Sequence, residues 1–143
     1  MHRTEIILGD DATAQRQAIL DRLSEFNASR GPPGDAEALC VALVDDGGAV
    51  AGGLYATLVY GWLVVELLFV PEQLRGTGLG SKLLADAEDQ ARARGCIGAW
   101  LDTFSFQARG FYEKLGYSLA GTIPDHPPGG ARHFMVKRWS GPA

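Results

Sequence analysis

Residues 75–80 combine an arginine with glycines at alternate positions, a pattern whose chemistry is the binding of an anion. Arg75 is followed by Gly76, Gly78 and Gly80. An apolar run over residues 63–70 precedes them, and the leucines and alanines that follow fall on one helical face. A tight turn between a strand and a helix leaves backbone N–H groups without partners, and these groups together with the helix dipole favour a phosphate.

Three kinds of phosphate-binding loop differ in their spacing. A Walker A loop needs Gly-Lys-Ser/Thr, whereas this chain has Gly80-Ser81-Lys82. A dinucleotide-binding fingerprint needs G-x-G-x-x-G, and here the third glycine is displaced by one residue, although Asp102 follows near the distance expected of a ribose-binding acid. The third pattern, Arg-x-x-Gly-x-Gly, is satisfied in full by Arg75, Gly78 and Gly80.

A second pattern lies one predicted helix and one predicted strand further along the chain. It reads Ala108-x-x-x-Tyr112-x-Lys114-x-Gly116-Tyr117. Either pattern alone is weak, because short glycine motifs recur by chance. In this order the two patterns resemble the two signatures of the GNAT N-acetyltransferase superfamily, the first of which binds the pyrophosphate of acetyl-CoA. The resemblance covers residues 62–117, and the order of the other elements supports it.

The resemblance implies that acetyl-CoA is the co-substrate and that an amine is the acceptor. In the family a backbone N–H of the strand before the loop, near Phe69 or Val70, stabilises the oxyanion. Ser105 stands where many relatives carry an asparagine that contacts the pantetheine arm. The residues that we assign to coenzyme binding are Phe69, Val70, Arg75, Gly76, Thr77, Gly78, Leu79, Gly80, Ser81 and Ser105.

Two side chains are candidates for proton transfer when an amine attacks the thioester. Tyr112 matches the signature tyrosine of the family, and a phenol with a pKa of ~10 can protonate a leaving thiolate whose thiol has a pKa of ~8.5. Its alternative role is packing on an amphipathic helix. Glu66 is the only charge in the strand 62–70, which we expect to be buried on both faces. A buried carboxylate with a raised pKa suits a general base, whereas a carboxylate that is paired or points to solvent is structural.

Other reactive side chains are expected to be peripheral. Asp102 and Thr103 end a strand at the mouth of the same cleft, where they either contact the substrate or cap the loop. His126 and His133 lie in or beside a proline-rich loop, with no third ligand at usable spacing, so we predict no metal site.

Hydrophobic periodicity predicts the elements that position these residues. The predicted strands are 4–9, 38–44, 50–60, 62–70, 96–103, 117–122 and 132–138, and the predicted helices are 12–30, 78–94 and 106–115. Asp10 and Asp11 are expected to cap the first helix, which we expect to turn Ile19, Leu20, Leu23 and Phe26 inward.

The order of these elements predicts a mixed α/β (α+β) fold. The helix 78–94 makes its flanking strands parallel neighbours, and the earlier strands form an antiparallel meander. The resemblance implies a GNAT-like acyl-CoA N-acyltransferase fold, which is a mostly antiparallel sheet flanked by helices. In that fold the sheet splays between the fourth and fifth strands, here 62–70 and 96–103, and the pantetheine arm lies in the gap.

Composition and charge limit the class of protein. The chain has 143 residues, of which 46% are hydrophobic and 21% charged, so residues 1–143 are predicted to form a single domain. A net charge of −4 argues against nucleic acid as a partner. The absence of an apolar signal region and of a membrane-spanning run predicts a cytoplasmic protein without membrane contact. Cys40 and Cys96 lie among apolar residues and are predicted to be core side chains.

The leading hypothesis is an N-acetyltransferase that transfers an acetyl group directly from acetyl-CoA to a primary amine of a small molecule or peptide. A second hypothesis is a non-catalytic acyl-CoA-binding or sensing module on the same fold, which needs neither Tyr112 nor Glu66. A third is a Rossmann-type nucleotide-binding protein, against which the displaced glycine argues. The acceptor cannot be read from the segments that line the acceptor site, 12–30 and 123–131. The resemblance makes a homodimer possible.

Overall fold

The computed structural model describes residues 1–139, and residues 140–143 of the predicted 1–143 domain lie outside the described part. The chain divides into two compact units, 1–33 and 34–143. Each unit is described separately, and the single domain stays a prediction.

The first unit contains one helix, α1 (Asp10–Arg30). Gly9 precedes it with a φ of 66°, and the Thr13 N–H donates to the Gly9 carbonyl at 3.1 Å. Asp10 and Asp11 therefore lie within the first turn, where their charge complements the helix dipole, and the prediction that they cap the helix was wrong. The predicted strand 4–9 was also wrong, because these residues form no strand and residues 1–33 offer no second strand with which to pair.

The predicted inward face of α1 is not buried. Ile19, Leu23 and Phe26 are each more than half exposed, and Leu20 is only partly covered. The physical reason within this unit is simple, since a single helix has no second element against which to bury an apolar stripe.

The second unit is a six-stranded sheet with two helices. The strands are β1 (Glu37–Val44), β2 (Val50–Val59), β3 (Trp62–Phe69), β4 (Gly98–Phe104), β5 (Ser118–Pro124) and β6 (Ala131–Arg138). The helices are α2 (Leu79–Ala93) and α3 (Arg109–Lys114), and their order along the chain confirms the predicted elements from residue 37 onward. The spatial order is β1-β2-β3-β4-β6-β5, and every pair is antiparallel except β3 with β4.

The gap between β3 and β4 matches the predicted splay. The two strands pair over only four positions, from Trp62 opposite Gly98 to Val65 opposite Leu101. Beyond that point β3 continues to Phe69 and β4 to Phe104 without pairing to each other. A bulge lies at the same place, since Val65 is opposite Ala56 while Leu67 is opposite Tyr55. An extra residue in one strand bends it, which helps to open the sheet here.

The core lies between the sheet and α2. Leu83, Leu84, Ala87 and Ala91 of α2 are buried, as the helical periodicity predicts. They belong to one buried cluster with the fully buried side chains of the central strands, which are Leu54, Leu63, Leu101 and Met135. Cys96 is buried as predicted, but Cys40 is exposed, because it lies on the edge strand β1 and alternates with the half-buried Leu39 and Val41.

A buried carboxylate ties α2 to the far end of the chain. Glu88 is 4% exposed and accepts hydrogen bonds of 2.8 Å from the Tyr117 hydroxyl and from Lys137 Nζ. Burial of the ring and the neighbouring carboxylate raise the pKa of Tyr117 far above its ordinary value. Each side chain therefore needs the other, since an unpaired charge or hydroxyl in this position is costly.

We expect Tyr117→Phe to lower the free energy of unfolding by about 1.5–3 kcal/mol, because the buried Glu88 carboxylate loses a donor. Urea denaturation measures this loss. Tyr60→Phe is the control, since Tyr60 is 51% exposed and its hydroxyl has no hydrogen bond within residues 1–139, and it should change stability by less than about 0.5 kcal/mol. Equal effects of the two substitutions would show that the hydrogen bond from Tyr117 to Glu88 adds nothing to the free energy of unfolding.

The same pair predicts a pH dependence. The folded state holds Tyr117 protonated, whereas the unfolded chain releases that proton near the ordinary pKa of 10.0. The stabilisation is therefore complete below pH 10 and declines as the pH rises above it. We expect the loss of stability above pH 10 to be smaller in Tyr117→Phe than in the unaltered protein.

Candidate active site

The turn between β3 and α2 presents a row of unpartnered backbone donors. Gly76 and Gly78 have φ values of 80° and 86°, which a residue with a Cβ rarely adopts. The first helical hydrogen bond runs from the Lys82 N–H to the Gly78 carbonyl at 3.0 Å. Within residues 1–139, none of the backbone N–H groups from 76 to 81 donates a hydrogen bond, and no side chain caps the helix. This geometry suits an anion.

The cations beside this turn already have partners. Arg75 donates from Nε to the Val70 carbonyl at 2.9 Å, and its guanidinium carbon lies 5.8 Å from the centre of the Phe69 ring. Lys82 forms an exposed ion pair with Asp86 at 2.9 Å. The Nε hydrogen bond of Arg75 therefore connects its side chain to the backbone just after β3. The role of its remaining N–H groups in phosphate binding stays a prediction.

The turn and the second sequence pattern meet in space. A Cβ placed on Gly80 would lie 3.2 Å from the Phe111 ring and 3.8 Å from Val70 Cγ2. Because glycine stands there, the first turn of α2 packs directly against α3, which carries Tyr112. The two patterns, which are apart in sequence, thus lie side by side in the fold.

Tyr112 is held by its ring and leaves its hydroxyl unpaired. The ring lies edge-on to those of Phe111 and Tyr117, with centroids 5.1 and 6.0 Å away. The hydroxyl makes no hydrogen bond within residues 1–139, and no buried side-chain oxygen there lacks a partner, so this hydroxyl is within reach of solvent. Burial of the ring, followed by the Asp102 charge, raises the pKa of Tyr112. A protonated phenol is thus maintained at neutral pH.

Glu66 does not have the burial that the sequence led us to expect. It is exposed, and it accepts a hydrogen bond from the Thr57 hydroxyl at 2.7 Å. The expectation that the strand 62–70 is buried on both faces was wrong, since Leu67 and Phe69 are 66% and 55% exposed. The cause is the bulge, which leaves Glu66 as the unpaired residue of β3 at the edge of the splay.

The loop that follows β4 is fixed by hydrogen bonds of the Ser105 and Gln107 side chains. The Ser105 hydroxyl accepts a hydrogen bond from the Ala131 N–H at 3.0 Å, so it ties the loop to β6. Gln107 Oε1 accepts a hydrogen bond from the Phe104 N–H at 2.8 Å, and α3 begins after this turn, at Arg109. Contact of Ser105 with a pantetheine arm stays a prediction.

The acidic residue at the end of β4 has a partner that the sequence analysis missed. Asp102 accepts a hydrogen bond from Arg132 Nε at 2.9 Å, and both side chains are about one-third exposed or less. These residues are 30 positions apart, so no local pattern links them. Glu88 was missed too, although a signal existed, since it interrupts the apolar helical face formed by Leu84 and Ala91.

The histidines lie apart from any cluster of metal ligands. His126 packs against Phe104 with 5.6 Å between ring centres, and His133 Nδ1 is 2.9 Å from the Thr122 hydroxyl. Over residues 1–139 no group of three or more His, Cys, Asp or Glu side chains is placed to hold a metal ion. The same part of the chain contains no helix long and apolar enough to cross a membrane.

Comparison with known proteins places this site in a family. Residues 7–117 match the acetyltransferase (GNAT) family. A blasticidin-S acetyltransferase of Streptomyces morookaense is 52% identical over 91 residues, which are 63% of this chain and 67% of the relative. An acetyltransferase of Agrobacterium fabrum is 40% identical over 134 residues, which are 93% of this chain and 98% of the relative.

Solved structures agree with the sequence comparisons. The crystal structure of an acetyltransferase from Bacillus cereus superposes with a TM-score of 0.82 at 33% identity, covering 94% of this chain and 97% of that chain. The mixed sheet flanked by helices is therefore a fold that this chain shares with GNAT acetyltransferases. The chain belongs to the GNAT family of acetyltransferases.

Proposed function

We propose that this protein transfers an acetyl group from acetyl-CoA to the primary amine of a small molecule, without a covalent enzyme intermediate. GNAT acetyltransferases use acetyl-CoA. The observation that carries the proposal is one arrangement. Six successive N–H groups, from 76 to 81, have no partner in the described part of the chain, and they lie one van der Waals contact away from the helix that bears Tyr112, whose hydroxyl likewise has no partner there. The first feature fits a pyrophosphate and the second fits a leaving thiolate.

The reaction follows from these positions. The thioester lies in the gap between β3 and β4, and the acceptor nitrogen attacks its carbonyl carbon. A backbone N–H near Phe69 or Val70 stabilises the oxyanion that forms. When the tetrahedral intermediate collapses, the C–S bond breaks and Tyr112 gives its proton to the sulfur. Glu66 takes the proton released by the amine, through a water molecule.

A purely binding module accounts less well for the unpaired Tyr112 hydroxyl. Such a module needs the glycine turn, but it has no use for a proton donor beside the sulfur of the ligand. Incubation of the protein with acetyl-CoA and a panel of amines, with free thiol as the readout, tests the proposal. Blasticidin S belongs in this panel, because a relative named for its acetylation is 52% identical over 91 residues.

Because Glu66 is exposed, its proposed role as the general base can be tested by a substitution that leaves the core unchanged. Glu66→Gln keeps an acceptor for the Thr57 hydroxyl and removes only the base. We expect turnover to fall most near neutral pH and to recover as the pH approaches the pKa of the amine, ~10 for an alkylamine, because the free amine then needs no base.

The measurement is a pH–rate profile of both proteins at saturating acetyl-CoA, with a melting curve to confirm that the fold is unchanged. If the ratio of the two proteins' rates stays constant across pH, Glu66 is not the general base. Asp102 and a chain of water molecules would then be the next candidates.

A further inference from the structure

A half-buried aromatic cluster with one exposed ring, that of Phe106, lies at the end of β4, outside the chemistry described so far. Phe104 and Phe106 stack with ring centres 5.4 Å apart and an angle of 3° between their planes. His126 lies against Phe104 at 5.6 Å, and the Arg132 guanidinium carbon is 5.5 Å from the centre of the Phe104 ring. We refer to Phe104, Phe106, His126 and Arg132 as the aromatic platform.

Within the aromatic platform the ring of Phe106 is stacked on Phe104 and is still exposed to solvent. Phe106 is 72% exposed, although its ring stacks on that of Phe104. One face of the ring is covered by Phe104, so the ring is fixed and its other face is available for a second stacked ring. The rim is polar, because Arg132 is paired with Asp102 at 2.9 Å. Aromatic side chains with a few polar groups beside them are typical lining residues of small-molecule sites.

Strand register places the platform on the same sheet face as Glu66. Val64 lies opposite both Thr57 and Trp100, and side chains of directly opposite residues share a face. The Thr57 hydroxyl donates a hydrogen bond to Glu66, so Glu66 borders the same face. Because side chains alternate along a strand, Trp100, Asp102 and Phe104 of β4 also lie on this face. The buried residues of β4, such as Leu101, point the other way, toward α2.

The platform is also close to the proposed acid. Asp102, which bonds Arg132, is the same carboxylate whose charge acts on Tyr112. The platform and Glu66 therefore lie on one face of the sheet, and Asp102 connects the platform with the surroundings of Tyr112. A ligand on the platform would extend along this face toward Glu66.

We infer that the acceptor carries a flat, unsaturated ring that stacks on Phe106 and directs its ammonium group toward Glu66. This inference rests on the proposed acetyl transfer and adds the class of acceptor. Complementary charge supports it, because the carboxylate of Glu66 lies on the face from which a cationic amine would approach. Phe106 would then be a residue that determines specificity.

Two acceptors that differ only in the ring test the inference: 2-phenylethylamine and 2-cyclohexylethylamine, each compared by kcat/KM at saturating acetyl-CoA. We expect the phenyl compound to be preferred about tenfold, as one stacked pair of rings allows. Phe106→Leu should lower kcat/KM for the phenyl compound to the value for the cyclohexyl compound, without changing the KM of acetyl-CoA. Phe106→Tyr, which keeps a flat ring, should retain the preference.

Tyr60→Leu is the matched control, because Tyr60 is an exposed aromatic residue at the opposite end of the sheet, beside the amino end of β3. It should leave the preference unchanged. Three results would overturn the inference: no preference in the unaltered protein, equal losses for both amines in Phe106→Leu, or a raised KM for acetyl-CoA, which would place the coenzyme on Phe106. Turnover of 1,3-diaminopropane but of neither ring amine would overturn it and leave the proposed function standing, whereas no turnover of any amine would contradict the proposed function itself.

Discussion

Replacing Tyr112 by phenylalanine should lower kcat by ~10²–10⁴-fold, the usual effect of removing a general acid. The substitution deletes only a hydroxyl, and that hydroxyl makes no hydrogen bond within residues 1–139. The ring keeps its edge-on packing against Phe111 and Tyr117, so the melting temperature and the affinity for acetyl-CoA should hardly change. The measurements are steady-state kinetics, a melting curve and titration with acetyl-CoA.

The pH profile gives a second readout of the same group. Burial and the Asp102 charge raise the pKa of Tyr112 above its ordinary value of 10.0. The acid therefore keeps its proton through neutral pH, and its loss should limit kcat of the unaltered enzyme only above pH 10. Tyr112→Phe should lack this alkaline decline. Unchanged turnover in the variant, with chemistry shown to be rate-limiting, would leave Tyr112 as a packing residue.

Gly78→Val should raise the Kd of acetyl-CoA by ~100-fold or more. The new side chain would stand among the free N–H groups of the turn, and the loss of two charge-assisted hydrogen bonds to phosphate costs about 3 kcal/mol or more. A Cβ on Gly78 meets no protein atom within 4 Å apart from its chain neighbours, so the added carbon points into open space and not into the core. The φ of 86° adds backbone strain of about 1–3 kcal/mol.

Gly95→Val is the control that distinguishes an effect of backbone strain on stability from an effect on acetyl-CoA binding. Gly95 follows the other end of α2 with a φ of 83°, and a Cβ there also meets nothing within 4 Å. The control should show a similar drop in melting temperature with an unchanged Kd in isothermal titration. Equal loss of affinity in both variants would mean that destabilisation of α2, and not occupation of the turn, weakens binding.

The parts of the site that the sequence predicts well are local. The spacing of Gly76 and Gly78 needs only the few residues around it, and the structure gives both the positive φ that the turn requires. The buried face of α2 follows from helical periodicity within the same segment, and Leu83, Leu84 and Ala87 are buried. The splay depended on the family resemblance, since periodicity contains no information on where two strands separate.

The parts that the sequence predicts poorly depend on distant partners. Exposure of Glu66 follows from a bulge, which is defined by the register of β2 against β3 and not by the residues of β3 alone. The Asp102 to Arg132 bond and the Glu88 to Lys137 bond join residues 30 and 49 positions apart. Periodicity in α1 identified an apolar stripe but could not show what, if anything, buries Ile19 or Phe26.

The most direct test of the proposed function is a single reaction: purified protein, acetyl-CoA and the amine panel, followed by free thiol release and by mass spectrometry of the amines. We expect thiol to form in equal amount to one acetylated amine, at a rate that depends on the amine concentration and falls in Tyr112→Phe. Tight binding of acetyl-CoA with no acetylated product from any amine would contradict the proposal and identify a non-catalytic acyl-CoA-binding module.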